Sequence, residues 1–227
     1  MNQDKLLRNS IIFIVLGIAA ISVFYFLTQS GSEIASEPLQ SVPLEDVGAT
    51  AVLFEIIPQE STVQFELGEI LYGSDITTVG RTNQVAGQIA ADFADLSTAQ
   101  VGVIRVNART LVTDNEFRDT AVHLAILQTE AYEYITFTPT AVSGLPPSIS
   151  SGETASFTIT GDLTIREVTQ EVTFTTSVTA ASPTLLSGSA SAAINRADFN
   201  LVIPQASGVA AVDDVVQLSI NFVAAVP

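Results

Sequence analysis

The side chains that could carry covalent or acid–base chemistry are few in this sequence. The 227 residues include no cysteine and a single histidine, His123. The absence of Cys removes thiolate catalysis and Cys-based zinc or iron–sulfur sites, and one His argues against both a Ser-His-Asp triad and a multi-His metal site. Glu66 and Glu69 lie on one predicted strand at opposite parity, so their carboxylates do not converge as an acid–base pair. We therefore expect no catalytic residues, no metal and no cofactor.

The arginines are the better candidates for recognising a polar group. A guanidinium suits a phosphate or a carboxylate, so we take Arg118, Asp119 and Arg196 as candidate contacts to the head group of a ligand. The alternative for Arg118-Asp119 is a structural ion pair or a hydrogen-bond network at a helix start, and for Arg196 an ordinary surface turn. Asp213-Asp214 supplies too few oxygens for calcium and is interpreted as a turn.

The charge balance excludes one class of partner. Lys and Arg number 8 against 24 Asp and Glu, for a net charge of −16. Little is available to neutralise phosphates, so nucleic acid is not an expected partner. The acidity is typical of a soluble, self-repelling surface. The oligomeric state stays open, with a homodimer as one alternative.

An uninterrupted apolar run without charges occupies residues 11–27. At ~1.5 Å per residue it spans roughly 26 Å, close to the ~30 Å hydrocarbon core of a bilayer. Lys5 and Arg8 precede it, whereas Glu33 and Glu37 follow it. The positive-inside rule then predicts a single-pass anchor in the cytoplasmic membrane, with residues 1–10 cytoplasmic and the rest extracytoplasmic, at the cell surface or in a periplasm.

A cleaved signal peptide is the rival interpretation of this segment, and it would make the protein secreted. Ser30 and Ser32 form only a weak cleavage site, so we favour the uncleaved anchor. Residues 28–50 are rich in Ser, Glu and Pro without periodicity, which predicts a flexible linker. The folded domain is then expected over 51–227.

Apolar and polar residues alternate through most of this domain, the pattern of half-buried β-strands. Eight stretches show it: 63–67, 85–93, 102–109, 135–138, 155–165, 168–178, 186–194 and 216–222. They predict an all-β fold, an antiparallel sandwich or a closed barrel. Residues 114–127 break the pattern, because apolar residues at 117, 121, 124 and 127 have helical spacing, and Asp114 or Asn115 can cap such a helix.

The inward positions of these strands hold many small residues, among them Gly87, Ala91, Ala190 and Ala192. An eight-stranded barrel is just wide enough either to be filled by side chains or to hold one slim ligand. Small inward residues favour a cavity. Alternatively, the glycines mark bulges and corners and the phenylalanines fill the interior.

Residues 161–174, Gly-Asp-Leu-Thr-Ile-Arg-Glu-Val-Thr-Gln-Glu-Val-Thr-Phe, predict a hairpin with one dry and one polar face. The segment closely resembles the G-x-L-T-I-x-x-V-T-x-x-V motif of the YceI-like, lipocalin-like polyisoprenoid-binding family. Further stretches resemble that family in the expected order: Ser61–Phe65, Val85–Ile89, Asn115 with Arg118-Asp119, Tyr132 to Phe137, Ile194–Asn200 and Asp213–Leu218. His123 departs from the pattern, because many members carry a His two residues after the Asp rather than four.

The resemblance implies an eight-stranded antiparallel, lipocalin-like barrel with one short helix beside its mouth and a long apolar pocket. It also implies a polyisoprenoid or another long-chain amphipathic ligand. The apolar side chains expected to line the pocket are Phe65, Leu67, Ile89, Phe93, Ile104, Leu124, Phe137, Phe157, Leu163, Phe174, Ala190 and Leu218. The expected function is that of a membrane-tethered lipid-binding protein and not an enzyme. The alternative is a filled barrel acting as a surface interaction or structural domain.

Overall fold

The computed structural model describes residues 39–227. The predicted cytoplasmic N-terminus (1–10), the anchor (11–27) and the first part of the linker (28–38) lie outside the described residues. Between residues 39 and 227, no helix combines the length and hydropathy needed to cross a bilayer.

The described chain forms one curled, barrel-like sheet of thirteen mostly antiparallel strands. In chain order they are β1 (Val52–Ile56), β2 (Thr62–Leu71), β3 (Ser74–Thr82), β4 (Val85–Ala86), β5 (Gln88–Asp92), β6 (Asp95–Val101), β7 (Ile104–Asn107), β8 (Tyr134–Ser143), β9 (Thr154–Ile165), β10 (Val168–Ser182), β11 (Leu185–Asn195), β12 (Val209–Val212) and β13 (Val215–Ala225). The all-β prediction is confirmed, whereas the predicted count of eight strands is wrong.

Two causes account for the difference in strand count. The predicted strand over 85–93 is divided at Gly87 into β4 and β5, which pair with β7 and with β1 and β6 respectively. In addition, β1, β3, β6 and β12 were not among the predicted stretches, because their residues alternate less regularly between apolar and polar.

The sheet is arranged around β13, which pairs with β11 along its whole length and with both β2 and β1 on its other side. From β11 the order continues through β10, β9, β8 and β7 to β4. β2 also carries β3 and β12. These pairings place the inward faces of β2, β9, β10 and β13 around one interior.

The β9–β10 hairpin shows how alternation produces the curved wall. Leu163 is 3% exposed, and Ile159, Ile165 and Val172 are also buried. On the outer face, threonine hydroxyls pair across the strands, as between Thr160 and Thr173 at 2.8 Å. The hairpin therefore has one apolar and one polar face, as its sequence predicted.

Gly161 in this hairpin is required by a close approach. A Cβ at this position would lie 2.8 Å from the ring of Phe137 and would also overlap the carbonyl of Thr138. Any larger residue would push β8 away from β9, so the glycine leaves room for the Phe137 ring beside the sheet.

The predicted helix over 114–127 is present as a short α-helix followed by a π-helical turn. α1 (Glu116–Ala121) is capped by Asn115, whose side chain accepts hydrogen bonds from the amides of Phe117 and Arg118. It continues as a π-helical turn over Val122–Ile126. Phe117 and Leu124 lie two turns apart on the outward face of the helix and are 90% and 62% exposed.

The part of the predicted linker that is described, residues 39–50, runs along the sheet. The Ser41 hydroxyl donates to the carboxylate of Glu55 at 2.7 Å. The amide of Leu44 donates to the side-chain oxygen of Gln88 at 2.9 Å. These bonds fix the approach of the chain to β1 and β5.

Candidate functional site

An apolar cavity of about 330 Å³ lies inside the curled sheet. It runs between two groups of core residues, one around Phe137, Leu163 and Phe199, the other around Phe54, Leu186 and Phe222. Its volume falls in the ~300–1,000 Å³ range of small-molecule pockets. The interior of the sheet is therefore not completely filled by its own side chains.

Eleven of the twelve residues expected to line a pocket face this cavity, all except Leu124. Ten of them lie on eight strands, and Phe93 directly follows β5; the eleven are Phe65, Leu67, Ile89, Phe93, Ile104, Phe137, Phe157, Leu163, Phe174, Ala190 and Leu218. Leu124 projects into solvent, on the same outward helical face as Phe117. Its neighbours Val122 and Ile126 line the cavity in its place.

Some small inward residues make room for an aromatic ring, and others leave open space in the cavity. The Phe65 ring occupies the space beside Gly80, and the Phe222 ring occupies the space beside Gly188. In contrast, Ala91 and Ala190 face the cavity. Glycines thus admit aromatic rings into the wall, whereas alanines leave open space next to it.

Arg118 projects from α1 into the cavity lining, where it meets carboxylates from two directions. Its guanidinium lies 2.6 Å from Glu69 on β2 and 2.5 Å from Asp114. The side chain of Glu69 is only 9% exposed and also lines the cavity. Two carboxylates around one guanidinium leave this end of the cavity without free positive charge.

Asp119 was a candidate head-group contact, but its carboxylate binds the segment before α1 instead. Its carboxylate accepts hydrogen bonds from the amide and the hydroxyl of Thr113, both at 2.7 Å. It is not among the cavity-lining residues. The ion pair of Arg118 with Glu69 and the bonds of Asp119 to Thr113 correspond to the alternative named for these residues, a structural ion pair and a hydrogen-bond network at the helix start.

Arg196 lines the cavity but is held by the chain around it. It pairs with Asp214 at 2.6 Å and donates to the carbonyls of Asp213 at 3.1 Å and Leu201 at 3.3 Å. These bonds tie the end of β11 to the start of β13. Asp213-Asp214 accordingly forms part of a turn, as predicted.

His123 and Arg166 make structural contacts near the helix. A ring nitrogen of His123 lies 2.7 Å from the carbonyl oxygen of Leu111. Arg166 donates to the carbonyl of Ile126 at 3.1 Å and pairs with Glu167. The hydrogen bond from Arg166 is the main reason that the pKa of Glu167 falls to about 2. Arg166 thereby links the β9–β10 turn to the end of the π-helical turn.

Thr78 on β3 is a site residue that sequence reasoning missed. It is 4% exposed, lines the cavity, and its hydroxyl has no hydrogen-bond partner among residues 39–227. Other buried hydroxyls are bonded, such as that of Thr176, which donates to the carbonyl of Phe174 at 3.5 Å. No local signal separates Thr78 from the many outward-facing threonines, because β3 was not recognised as a strand.

These features define an all-β, barrel-like domain with one short helix against an apolar cavity. Residues 54–224 match the model of a family described as YceI-like domain. The match covers most of the chain, so the protein belongs to the YceI-like family.

Solved structures with the same fold come from three bacteria. A polyisoprenoid binding domain from Saccharophagus degradans, implicated in plant cell wall breakdown, is 14% identical, with a TM-score of 0.61 over 78% of this chain and 99% of that one. BcnA of Burkholderia cenocepacia is 20% identical, with a TM-score of 0.57 over 74% and 98%. The YCEI protein of Campylobacter jejuni is 14% identical, with a TM-score of 0.50 over 87% and 94%. No curated protein sequence is similar enough to match this chain.

Proposed function

We propose that this protein binds a long-chain apolar or amphipathic molecule, a polyisoprenoid or a similar lipid, in the cavity inside its sheet. The observation that carries the proposal is the cavity itself, whose lining is overwhelmingly apolar. The structural relative from Saccharophagus degradans is a polyisoprenoid binding domain, which supports the same class of ligand. The role is sequestration or carriage of the ligand rather than catalysis.

The energetics of such binding depend on where the ligand comes from. Transfer of a chain from water into the cavity contributes roughly 0.8 kcal/mol per CH₂. Extraction from a bilayer gains almost none of this, because the lipid interior is already apolar. The shape of the cavity and the few polar groups in its wall then determine which ligand is retained.

Co-purification tests this function. The full-length protein is purified, its bound lipids are extracted with organic solvent, and the extract is identified by mass spectrometry. We expect a stoichiometric long-chain lipid in the wild type. The Ala190→Phe variant, described below, serves as the control with a blocked cavity. Equal lipid content in the two preparations would contradict binding in this cavity.

We also propose that the domain is tethered to the outer face of the cytoplasmic membrane by residues 11–27. The supports are the charge-free apolar run and the positive charges of Lys5 and Arg8 before it. Protease added to intact cells should cut the chain within residues 28–50. Cleavage only after permeabilisation would refute this orientation, and N-terminal sequencing of the mature protein separates the anchor from a cleaved signal peptide.

A further inference from the structure

The hydroxyl of Thr78 and the Glu69–Arg118 ion pair form a polar patch in the otherwise apolar cavity wall. We propose that this patch is the subsite for the head group of the ligand, and that it selects an uncharged oxygen head, an alcohol or a carbonyl, over a phosphate or diphosphate. The inference rests on the proposed lipid-binding function and specifies the ligand within it.

The register of β2 and β3 places these groups together. Thr78 is directly opposite Leu67, and Glu69 lies two residues further along β2. Alternate residues share a face, so Leu67, Glu69 and Thr78 all point inward, and all three line the cavity. Diagonal neighbours in an antiparallel pair have Cα atoms about 7–8 Å apart. One small head group can therefore contact both the Thr78 hydroxyl and the Glu69–Arg118 pair.

The unpartnered hydroxyl of Thr78 points to a ligand that completes its hydrogen bonding. A buried hydroxyl without a partner is unfavourable, and buried polar side chains are nearly always bonded. Thr78 is 4% exposed and has no partner in the described part of the chain. A hydroxyl can donate to a ligand carbonyl or exchange hydrogen bonds with a ligand alcohol.

The charges beside Thr78 disfavour an anionic head group. Arg118 is already bonded to Glu69 and Asp114, so these three side chains sum to one negative charge. Arg196, the other arginine lining the cavity, is paired with Asp214. A diphosphate would have to displace a carboxylate from a guanidinium, or lie beside an uncompensated negative charge of like sign. An alcohol or a carbonyl requires neither.

The test compares three probes with matched branched C20 chains: phytol (alcohol), phytane (hydrocarbon) and phytyl diphosphate. Binding to the full chain, kept in amphipol, is measured by displacement of a fluorescent lipid. We expect phytol to bind more tightly than phytyl diphosphate. Thr78→Val preserves side-chain shape and removes the hydroxyl, so phytol affinity should fall about three- to tenfold, the loss of one hydrogen bond, while phytane affinity is unchanged.

Thr176→Val is the matched control, because Thr176 also lines the cavity but its hydroxyl is bonded to Phe174. This variant should retain the phytol preference of the wild type. A melting temperature of Thr78→Val at or above the wild-type value excludes misfolding as the cause of weaker binding.

The possible contrary results have distinct meanings. Equal effects of Thr78→Val on phytol and phytane, or no effect on either, would overturn the role of Thr78 and leave the lipid-binding function standing. Tighter binding of phytyl diphosphate than phytol would overturn the selectivity. Failure of all three probes to bind the wild type would overturn the inference together with the proposed function.

Discussion

Arg118 joins the helix to the sheet through Glu69, a residue 49 positions earlier in the chain. The Glu69 side chain is 9% exposed, so its carboxylate depends on the guanidinium for compensation. Removing one partner of such a pair costs more than removing both, because it leaves an uncompensated charge out of contact with water.

The first prediction concerns this pair. Arg118→Met should lower the free energy of unfolding by about 1–3 kcal/mol, because Glu69 is left unpaired. The double variant Arg118→Met with Glu69→Met should recover part of that loss. Urea denaturation of Arg118→Met, Glu69→Met and the double variant measures the coupling free energy between the two side chains. Strictly additive losses would show that the two residues do not interact.

The second prediction concerns Glu167 in the β9–β10 turn. Its pKa falls from 4.5 to about 2, chiefly through the hydrogen bond from Arg166. Because the folded-state pKa is the lower one, this stabilisation is complete above about pH 4.5 and is lost as the pH falls through 2. The melting temperature of the wild type should therefore exceed that of Glu167→Gln above pH 5, and the gap should close towards pH 2.

The gap is expected to be small, because the Glu167 side chain is 52% exposed and solvent and salt screen the charge. Melting curves of both proteins at low ionic strength from pH 2 to 7 provide the measurement. A difference between them that does not vary with pH would refute the assignment.

At the scale of the element, the β9–β10 hairpin is a wall with two chemically different faces. The inner face supplies Leu163 and Phe174 to the cavity lining. Phe174 meets Phe137 of β8 edge to face, with ring centroids 4.9 Å apart. The outer face is a row of threonines whose hydroxyls bond across the strands.

The third prediction compares the two faces of this hairpin. Leu163→Ala should cost about 2–5 kcal/mol, because it deletes a buried side chain. Thr173→Ala, on the exposed face, should change stability by no more than ~0.5 kcal/mol. Denaturant midpoints with unchanged slopes give both values. Similar costs at the two positions would be incompatible with a hairpin that is buried on one side.

At the scale of the whole molecule, the open interior arises because alanines face the cavity where larger residues would fill it. Ala190 on β11 is 8% exposed and lines the cavity. Ala193, three residues further along the same strand, is exposed on the opposite face. The same substitution at these two positions therefore separates filling of the cavity from a general effect on β11.

The fourth prediction compares Ala190→Phe with Ala193→Phe. Ala190→Phe should place its ring in the cavity and abolish binding of a long-chain lipid. It should lower the melting temperature by less than ~4 °C, the shift that corresponds to about 1 kcal/mol in a domain of this size. Ala193→Phe should leave binding intact. A large loss of stability in Ala190→Phe would indicate overpacking of a filled interior.

The fold class and the inward faces of the strands follow from the periodic spacing of apolar residues along the chain. Alternation predicted the all-β class and the inward faces, and eleven of the twelve expected side chains do face one cavity. Asn115 was predicted as one of two possible helix caps, and it caps α1. Such features depend on residues close in sequence, through the two-residue period of strands and the local hydrogen bonds of caps.

The tertiary structure alone decided which polar groups meet inside the sheet. Glu69 and Arg118 pair, and Thr78 joins them, only because β2 pairs with β3 in one register and the helix packs against the same end. A shift of β3 by one residue in that register would turn Thr78 to the outside and leave Glu69 inside. Leu124 points to solvent because the helix turns Arg118, Val122 and Ile126 towards the cavity and its other face outward. Neither the strand register nor the packed face of the helix could be deduced from the local pattern, because each is set by contacts between segments that are distant in sequence.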